Sequence, residues 1–416
     1  MRIELLTIGD ELLLGLTIDT NAAWLARQLA ADGVSIVQRA TVGDDAERIA
    51  AAVRDALDRT GAVITTGGLG PTADDMTKPA IAALFGRRLV FDEARWEALR
   101  QLWRERGRPG ELPESNRQQV MIPEGAIVLT NRHGTAPALF LEDARGRWVA
   151  MLPGVPREMR GIFVEELQPL VRARAGGGGA VVRTRTIRTT GIAESQLPPV
   201  LGELARGVDG MSLAYLPGPD GIDLRLTIRD VPGDEADARL AAGAARLAER
   251  VGRHVYGEGD IDLASVVLDG CRARGWRIAV AESCTGGLLG GRLTAIPGSS
   301  DVFLGGVIAY DNAVKREQLG VSAETLAAVG AVSEAVAREM ATGVRTRLGC
   351  EVGIGITGIA GPGGGTADKP VGLVWIAVDA VGTLRTFGGR LVGDRGEVRY
   401  RATQAALDML RRMLAA

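Results

Sequence analysis

The sequence predicts an α/β protein with two doubly wound α/β domains joined by a small α+β module. Three observations lead to this fold class. Short apolar runs alternate with helical patterns over residues 1–170, a run of four glycines follows at 176–179, and a second alternating region begins near residue 260. Such alternation is typical of a mostly parallel sheet with helices on both faces, whose ligands bind at the carboxyl ends of the strands.

The N-terminal region, predicted to form a domain over residues 1–172, shows the clearest alternation. Its apolar runs predict buried strands at 3–8, 34–42 and 62–66. Segments between them begin at polar or acidic residues, as helices do, and predict helices at 20–33, 44–59 and 74–85. The third helix follows a glycine-rich turn, so a ligand-binding loop is expected there.

Two further regions follow the first domain. The Ala-Gly-Gly-Gly-Gly-Ala run at 175–180 predicts a linker. A small α+β module is expected at 181–256, with strands at 181–189 and 222–228 and a helix at 235–251. The last domain is expected at 258–416, with strands at 278–281, 302–309, 351–356, 371–379 and 384–391 and a helix from residue 395.

The composition limits the possible chemistry. The net charge of −2 argues against a surface that wraps a polyanion, so nucleic acid is not an expected partner. The 3 cysteines and 2 histidines are too few and too scattered for a disulfide framework, a zinc site or a Ser-His-Asp triad. A nucleophile here must therefore be activated by something other than histidine. No signal peptide and no apolar run near the length of a membrane span is found, which predicts a cytoplasmic protein without membrane contact.

A first reactive motif in the last domain is Ala-Glu-Ser-Cys-Thr-Gly-Gly, residues 281–287, at a strand-to-helix junction. Ser283 could attack a carbonyl group while free N–H groups of the following helix hold the oxyanion. The same residues could instead be a capping serine and a packing turn. Both interpretations stay open from the pattern alone.

Two more loops carry polar residues after predicted strands. Tyr310 and Lys315 follow one strand, and a desolvated lysine can act as a general base that a tyrosine assists. The run Thr-Gly-Ile-Ala-Gly-Pro-Gly-Gly-Gly begins at Thr357 and could bring backbone amides against a phosphate. Arg395 is a further phosphate candidate. Each feature is also compatible with an ordinary turn or a solvated helix start.

The N-terminal domain has its own glycine-rich loop, Thr-Thr-Gly-Gly-Leu-Gly-Pro-Thr-Ala-Asp-Asp-Met-Thr, at residues 65–77. Gly67, Gly68 and Gly70 suit the close approach of a phosphate or pterin. The acidic pair Asp74 and Asp75 could hold a divalent cation or cap the next helix. Asp44 and Asp45 are helix caps first and ligands second.

The motifs of the last domain resemble the CinA C-terminal domain, the nicotinamide-nucleotide amidohydrolase family, over about residues 260–416. The resemblance implies hydrolysis of nicotinamide mononucleotide to nicotinic acid mononucleotide and ammonia, without a cofactor. By motif match, Ser283 is implied as the nucleophile, with Lys315 and Tyr310 assisting. Ser300, Thr357 and Arg395 are implied to contact the substrate.

The N-terminal loop, with Asn-Arg-His-Gly-Thr-Ala-Pro at 131–137 and Leu-Pro-Gly-Val-Pro-Arg-Glu-Met at 152–159, resembles the CinA N-terminal domain of MoaB/MogA-like fold. The resemblance implies metal-dependent cleavage of the pyrophosphate bond of ADP-ribose. Asp45 and Asp75 are then the expected ligands of a divalent cation, and the three loop glycines contact the substrate. Ala138 stands where this family usually has glycine, which matters if that position needs a positive φ angle.

The middle module carries Arg183, Arg185 and Arg188 on one strand-like run. These arginines could form a basic face for DNA, but arginines on an edge strand more often prevent aggregation. We expect the module to space the two domains and to support a homodimer. Two alternatives to the enzyme remain: a non-catalytic nucleotide or pterin sensor involved in protein interactions, and an N-terminal domain that processes molybdopterin.

Overall fold

The computed structural model describes residues 1–72, 74–176 and 181–415. The chain forms two compact units, one of Met1–Arg183 with Ile228–Ala238 and one of Thr184–Thr227 with Arg239–Ala416. Residues 177–180 of the predicted linker lie outside the described residues. The domain boundaries predicted at 1–172, 181–256 and 258–416 stay predictions.

The first unit is built around a six-stranded sheet in the order β2-β1-β3-β8-β7-β6. The four strands β2, β1, β3 and β8 are parallel, and β7 and β6 continue the sheet in antiparallel pairing. The elements up to the glycine run are β1 Arg2–Ile8, α1 Asp10–Leu13, α2 Thr20–Ala31, β2 Ser35–Val42, α3 Ala46–Thr60, β3 Ala62–Thr66, α4 Thr77–Leu84, β4 Leu89–Phe91, α5 Glu93–Glu105, β5 Met121–Pro123, β6 Ile127–Leu129, β7 Ala138–Glu142, β8 Trp148–Leu152, α6 Pro156–Ile162 and α7 Gln168–Ala175.

Apolar layers cover both faces of this sheet because side chains alternate between the faces of a strand. Along β1, Leu5 packs in one layer with Leu25 of α2, whereas Leu6 packs in the other with Ile49 of α3. The two layers leave the carboxyl ends of the parallel strands open to loops. The sequence did not predict α5 or the two-stranded ribbon of β4 and β5.

The second unit contains a five-stranded sheet in the order β14-β13-β15-β16-β17 and most of a four-stranded sheet in the order β10-β11-β9-β12. In the larger sheet β14, β13 and β15 are parallel, and β16 and β17 are antiparallel additions. The elements from residue 181 onward are β9 Val181–Thr189, α8 Leu197–Leu201, β10 Ser212–Gly218, β11 Gly221–Val231, α9 Gly233–Val251, β12 Val255–Glu258, α10 Leu263–Arg272, β13 Ile278–Glu282, α11 Leu288–Thr294, β14 Phe303–Ile308, α12 Asn312–Leu319, α13 Ala323–Val329, α14 Glu334–Leu348, β15 Val352–Gly358, β16 Leu373–Ala380, β17 Thr383–Arg390 and α15 Arg395–Leu414.

Helices again cover both faces of the five-stranded sheet. Val280 packs in a layer with Leu407 of α15, and Ala281 packs in the opposite layer with Met340 of α14. The predicted fold class, doubly wound α/β domains with a small α+β module, is confirmed. Among the described residues, no helix is both long enough and apolar enough to span a bilayer.

The arginine-rich run of the middle module does not form an edge strand, contrary to the expectation from the sequence. β9 lies between β11 and β12, so its arginines do not protect an edge. Arg185 pairs with Glu258 at 2.5 Å, and Arg188 pairs with Asp220 at 2.9 Å and Asp223 at 3.0 Å. These pairs neutralise most of the basic face that the pattern suggested.

Candidate functional site

Ser283 lies directly after β13, at the carboxyl ends of the parallel strands in the five-stranded sheet. The Ser283 amide donates to the Ile356 carbonyl of β15 at 2.9 Å, and the Ala309 amide, just after β14, donates to the Glu282 carbonyl at 2.8 Å. Ser283 is therefore held between the ends of both neighbouring strands. Its side chain is buried, with 8% of the residue exposed.

Glu282 determines the shape of the turn that carries Ser283. Its buried carboxylate accepts hydrogen bonds from the amides of Gly287 and Leu289, both at 3.0 Å, and of Gly290 at 2.8 Å. The first N–H groups of α11 are therefore already paired, because a carboxylate satisfies the donors that a helix start leaves open. The expectation that α11 offers free N–H groups to an oxyanion is wrong for these three amides.

Two other amides next to Ser283 are available. In the described part of the chain, no other residue accepts a hydrogen bond from the amides of Cys284 or Thr285. The turn itself is closed by the Gly286 amide, which donates to the Ser283 carbonyl at 3.1 Å. A pair of unpaired amides directly after a serine is the arrangement that stabilises an oxyanion during acyl transfer.

Lys315, in the first turns of α12, is almost completely buried, with 1% of the residue exposed. Its Nζ donates to the Ala309 carbonyl at 2.8 Å and to the Tyr310 carbonyl at 3.0 Å. The Ala309 amide is hydrogen-bonded to the Glu282 carbonyl of β13, so the lysine amine lies at the same carboxyl-terminal end of the strands as Ser283. Burial lowers the pKa of Lys315, although the neighbouring Asp311 and Cys284 oppose that shift.

Tyr310 meets Lys315 through its backbone, and its phenol has a different partner. The Tyr310 hydroxyl accepts a hydrogen bond from Arg395 Nη2 at 3.2 Å, and Arg395 Nη1 donates to the Gly361 carbonyl at 2.6 Å. Arg395 starts α15, and Gly361 lies in the glycine-rich run after β15. Tyr310, the glycine-rich run and Arg395, which the sequence predicted separately, therefore meet at the Arg395 guanidinium group.

Arg399, one helical turn after Arg395, was not predicted from the sequence. Its Nη2 donates to the Thr285 carbonyl at 2.7 Å, and its Nε is buried without a hydrogen-bond partner among the described residues. In the described part of the chain no carboxylate pairs with either arginine, so both charges remain available to an anion. The helical spacing of four residues between two arginines was the signal that the sequence offered.

Thr357 and Ser300, both implied as substrate contacts, lie in different places. Thr357 follows Ile356, whose carbonyl binds the Ser283 amide, but the Thr357 hydroxyl donates to the Ala331 carbonyl at 2.8 Å. Ser300 lies two residues before Val302, and the Val302 carbonyl accepts a hydrogen bond from the amide of Ile278 at 2.8 Å. Ile278 is the first residue of β13, so Ser300 lies near the start of that strand. At about 3.3 Å per strand residue, Ser300 is on the order of 16 Å from Ser283 along the strand direction.

Ser300 is thus exposed at the amino ends of the strands, opposite the carboxyl ends where Ser283 lies. The structure does not bring the two residues together. The two residues are separated because α11 carries the chain from the carboxyl end of β13 back to the amino end of the sheet before β14 begins. Arg272, at the end of α10, confirms this location because it pairs with Asp301 at 2.6 Å.

Cys284 follows Ser283 and is the other conceivable nucleophile of the motif. Its side chain is buried, with 6% of the residue exposed. Burial raises the pKa of Cys284 to about 11, so the thiol stays protonated at neutral pH. Because the thiolate is the reactive form of cysteine, Ser283 is the better candidate.

The N-terminal unit has a cleft of about 490 Å³ at the carboxyl ends of β1, β3 and β8. The predicted glycines line it. Gly67 has a φ angle of 109°, and a Cβ atom there would lie 2.1 Å from the Ile8 carbonyl oxygen. Gly68 has a φ angle of 63°, and a Cβ atom there would lie 2.2 Å from Thr77 Oγ1. A side chain at either position would therefore distort the loop. The charged residues in the cleft lining are all acidic: Glu11, Asp19, Asp44, Asp74, Asp75 and Glu158.

The two aspartates predicted as metal ligands have structural partners. Asp75 lines the cleft, and its carboxylate accepts from the Gly70 amide at 2.7 Å and the Thr72 amide at 2.8 Å. Asp45 caps α3 by accepting from the Arg48 amide at 2.9 Å and is not among the cleft residues. The structure therefore brings Asp75 into the cleft and leaves Asp45 outside it.

Asp44, treated from the sequence as a cap, occupies the place expected of Asp45. It lines the cleft and accepts from the Asp10 amide at 3.0 Å. Burial raises the pKa of Asp44, and the nearby negative charges of Asp10, Glu11 and Asp74 raise it further. Such mutual repulsion between carboxylates is relieved when a cation binds.

Ala138 does not need the positive φ angle for which a glycine would be required. It is the first residue of β7, is fully buried, and pairs with Leu129 of β6. Alanine therefore fits this strand position without strain.

Comparisons with known proteins cover the whole chain. The sequence-family model of the CinA C-terminal domain matches residues 260–414. The family model of a probable molybdopterin binding domain matches residues 4–173, and that of the damage-inducible protein CinA KH domain matches residues 184–257. A CinA-like protein of Gemmatimonas aurantiaca is 64% identical over 416 residues, which is 100% of this chain and 97% of that protein. A putative competence-damage inducible protein of Moorella thermoacetica is 42% identical over 416 residues, 100% of this chain and 99% of that protein.

Solved structures resemble single parts of the chain. A CinA superfamily protein from Klebsiella pneumoniae is 41% identical and covers 37% of this chain and 96% of its own, with a TM-score of 0.36. The molybdopterin biosynthesis enzyme MoaB from Thermus thermophilus is 21% identical and covers 41% of this chain and 94% of its own, with a TM-score of 0.28.

Proposed function

We propose a hydrolytic function for this chain from one premise: the chain belongs to the CinA family. The C-terminal site then acts as an amidohydrolase that converts nicotinamide mononucleotide to nicotinic acid mononucleotide and ammonia. The observation that carries this proposal is Lys315, a buried amine whose two backbone acceptors lie at the end of β14, one of the two strands that flank Ser283.

The lysine geometry suits a general base. A neutral amine has two N–H donors and one lone pair, and the carbonyls of Ala309 and Tyr310 accept both donors. The lone pair is then left to take a proton. Burial lowers the pKa of Lys315, which increases the neutral fraction at a given pH.

In the proposed reaction, Ser283 Oγ attacks the carboxamide carbon and its proton passes to Lys315. The amides of Cys284 and Thr285 hold the oxyanion, and their unpaired state supports this role. Collapse of the tetrahedral intermediate breaks the C–N bond, and Lys315 returns the proton to the leaving ammonia. Water then hydrolyses the acyl-enzyme, with Lys315 again accepting and returning a proton.

The substrate phosphate requires cations, and the first two turns of α15 supply them. Arg395 and Arg399 are unpaired by carboxylates among the described residues and face the Gly361 and Thr285 carbonyls respectively. Arginine binds phosphate in a planar, two-point manner. Tyr310 joins this group through Arg395, so we assign it to substrate binding beside the proposed proton-transfer residues.

The test is ammonia release from nicotinamide mononucleotide by the full chain. Ser283→Ala should lower kcat by at least about 100-fold because the covalent route is lost. Ser265→Ala, a matched change on α10 of the same unit, should keep near-parent activity. Ammonia release by Ser283→Ala near the parent rate would exclude Ser283 as nucleophile. Ser300→Ala then decides whether the substrate contact implied by the family resemblance holds at that exposed position.

For the N-terminal cleft we propose metal-dependent cleavage of ADP-ribose as a second activity. The observation in favour is the charge of the lining, which is acidic at every charged position. A pyrophosphate is itself anionic, so it requires a bridging cation to enter such a cleft. Asp44 and Glu11 fit this role as hard oxygen ligands, and the bound cation would neutralise charge and activate water.

The described residues contain no cluster of three or more side chains that would form a complete metal cage. Mg²⁺ sites in phosphate-processing enzymes commonly use one or two carboxylates and complete their coordination with substrate phosphates and water. We therefore propose that Asp44 replaces Asp45 as the ligand and that Asp75 holds the Gly70–Thr72 loop. Release of AMP from ADP-ribose, measured with and without added Mg²⁺, tests the activity.

A further inference from the structure

The second unit has a cleft of about 530 Å³ whose lining does not include Ser283. Two segments of the middle module, 190–193 and 218–222, form one wall. The end of β17 and the cleft-facing side of α15 form the other. Small-molecule sites commonly have 300–1,000 Å³ and lie where two modules meet, so this cleft has a suitable size and position.

The polar floor of the cleft consists of side chains that are hydrogen-bonded or ion-paired within the protein. Gln404 is 4% exposed, and its Nε2 donates to the Asp220 carbonyl at 2.9 Å while its Oε1 accepts from Arg292 at 3.0 Å. Asp408 is 8% exposed and pairs with Arg411 at 2.7 Å and Arg412 at 2.8 Å. These acids and amides are satisfied by the protein itself and need no ligand.

Arg401 differs from Arg412, the other arginine of the cleft lining, because Arg412 pairs with Asp408 and Arg401 has no such carboxylate among the described residues. It lines the cleft, its Nε is buried without a hydrogen-bond partner, and no carboxylate of the described residues pairs with it. Leaving a buried donor unpaired costs about 1–3 kcal/mol, a cost that a ligand with a hydrogen-bond acceptor would remove. Both carboxylates of the lining, Asp220 and Asp408, pair with arginines. Arg401 is therefore the charge in the lining that is left without an opposite charge among the described residues.

The remaining wall is apolar. Phe387 is 37% exposed and lines the cleft together with Leu391 and Met409. The Phe387 ring lies over Gly389, where a Cβ atom would come within 2.8 Å of the ring carbon Cζ. Glycine at this position therefore lets the ring lie flat along the strand. An exposed ring next to a free arginine suits a ligand with a planar apolar part and one anionic group.

We propose that this cleft binds a small organic anion that carries a planar apolar ring, with Arg401 as the anion contact and Phe387 as the ring contact. The residues that line this cleft do not include any of the candidate residues of the proposed deamidase site, namely Ser283, Lys315, Tyr310, Thr357 and Arg395. The proposal therefore does not depend on the deamidase reaction. Aromatic carboxylates and mononucleotides share this chemistry, and the experiment distinguishes them.

The test uses anilinonaphthalene sulfonate, a fluorescent anion with planar rings, titrated into the full chain. Arg401→Gln and Phe387→Ala should each weaken its binding at least about tenfold, since each removes one of the two contacts. Arg206→Gln, an exposed arginine of the same unit outside the cleft, should leave the affinity unchanged. Competition by nicotinate, and separately by AMP, then tells whether a carboxylate or a phosphate is preferred.

The melting temperature separates binding from a structural role. Arg401→Gln removes an unpaired buried donor, so its Tm should equal or exceed that of the parent. Unchanged dye affinity in both Arg401→Gln and Phe387→Ala would overturn the proposal. A Tm of Arg401→Gln several degrees below the parent would also overturn it, because Arg401 would then be needed for folding.

Discussion

Lys315 shows how one side chain can change role through burial. The ordinary pKa of a lysine is about 10.4, and an exposed lysine would be a cation at neutral pH. Here the side chain is held under the Ala309 and Tyr310 carbonyls, and burial lowers its pKa. Packing therefore favours the neutral amine, which is the form that the proposed base must have.

The first prediction at this scale is a pH dependence. The deamidase kcat should rise with pH as Lys315 loses its proton, with a midpoint below the ordinary lysine value because the folded pKa is lowered. Lys315→Arg should lose at least about 100-fold in kcat, since guanidinium keeps its proton over this range. An arginine variant with parent-like activity would mean that residue 315 acts only as a positive charge.

The second prediction concerns Cys284. Cys284→Ala should keep kcat within about threefold of the parent, and iodoacetamide should not inactivate the parent at pH 7. The reason is that burial raises the pKa of this thiol to about 11. Mass spectrometry of the trapped acyl-enzyme should locate the label on Ser283. Loss of activity in Cys284→Ala equal to that of Ser283→Ala would reverse the assignment.

At the scale of elements, the turn between β13 and α11 depends on Glu282. One carboxylate accepts three amides of the chain that follows it, so the turn and the helix start are fixed together. The Cys284 and Thr285 amides stay outside this arrangement. Glu282 is thus a positioning residue that leaves the two proposed oxyanion donors free.

The third prediction is that Glu282→Gln lowers both stability and kcat. A glutamine amide has one oxygen acceptor and directs N–H groups at backbone donors, so at least one buried amide becomes unpaired at a cost of about 1–3 kcal/mol. Urea unfolding and kcat measurements check this. Glu324→Gln, at an exposed helix start of the same unit, is the control and should change neither value. Parent-like kcat and stability in Glu282→Gln would contradict the role.

At the scale of the whole molecule, the two proposed sites use different chemistry. The C-terminal site has a serine, an amine and two arginines, whereas the N-terminal cleft has carboxylates at every charged position of its lining. Both lie at the carboxyl ends of parallel strands, as expected for open α/β sheets.

The fourth prediction is that the two activities are separable in the full chain. A chelator should abolish AMP release from ADP-ribose, and excess Mg²⁺ should restore it, while ammonia release continues. Asp44→Asn should act like the chelator by removing a charged oxygen ligand, and Asp45→Asn, outside the cleft, is its matched control. Ser283→Ala should keep full ADP-ribose cleavage. The two-site proposal fails if chelator stops ammonia release or if Asp44→Asn eliminates both activities.

The sequence by itself determined the fold class, most of the parallel strands and the positions of the loops that carry the candidate residues. Periodicity and turn residues are local properties, so strands such as β1 and β3 were predicted within one residue of their observed ends. Lys315 was identified as a candidate base because the chain has only two histidines. These conclusions needed no knowledge of contacts.

Only the tertiary structure decided which groups are free to react. Glu282 occupies the helix amides that the pattern assigned to an oxyanion, Ser300 lies at the opposite sheet edge from Ser283, and Asp44 lines the cleft where Asp45 was expected. A polar group becomes available only when no nearby group already pairs with it. That pairing depends on residues brought together by sheet order and helix packing, which distance along the chain does not encode.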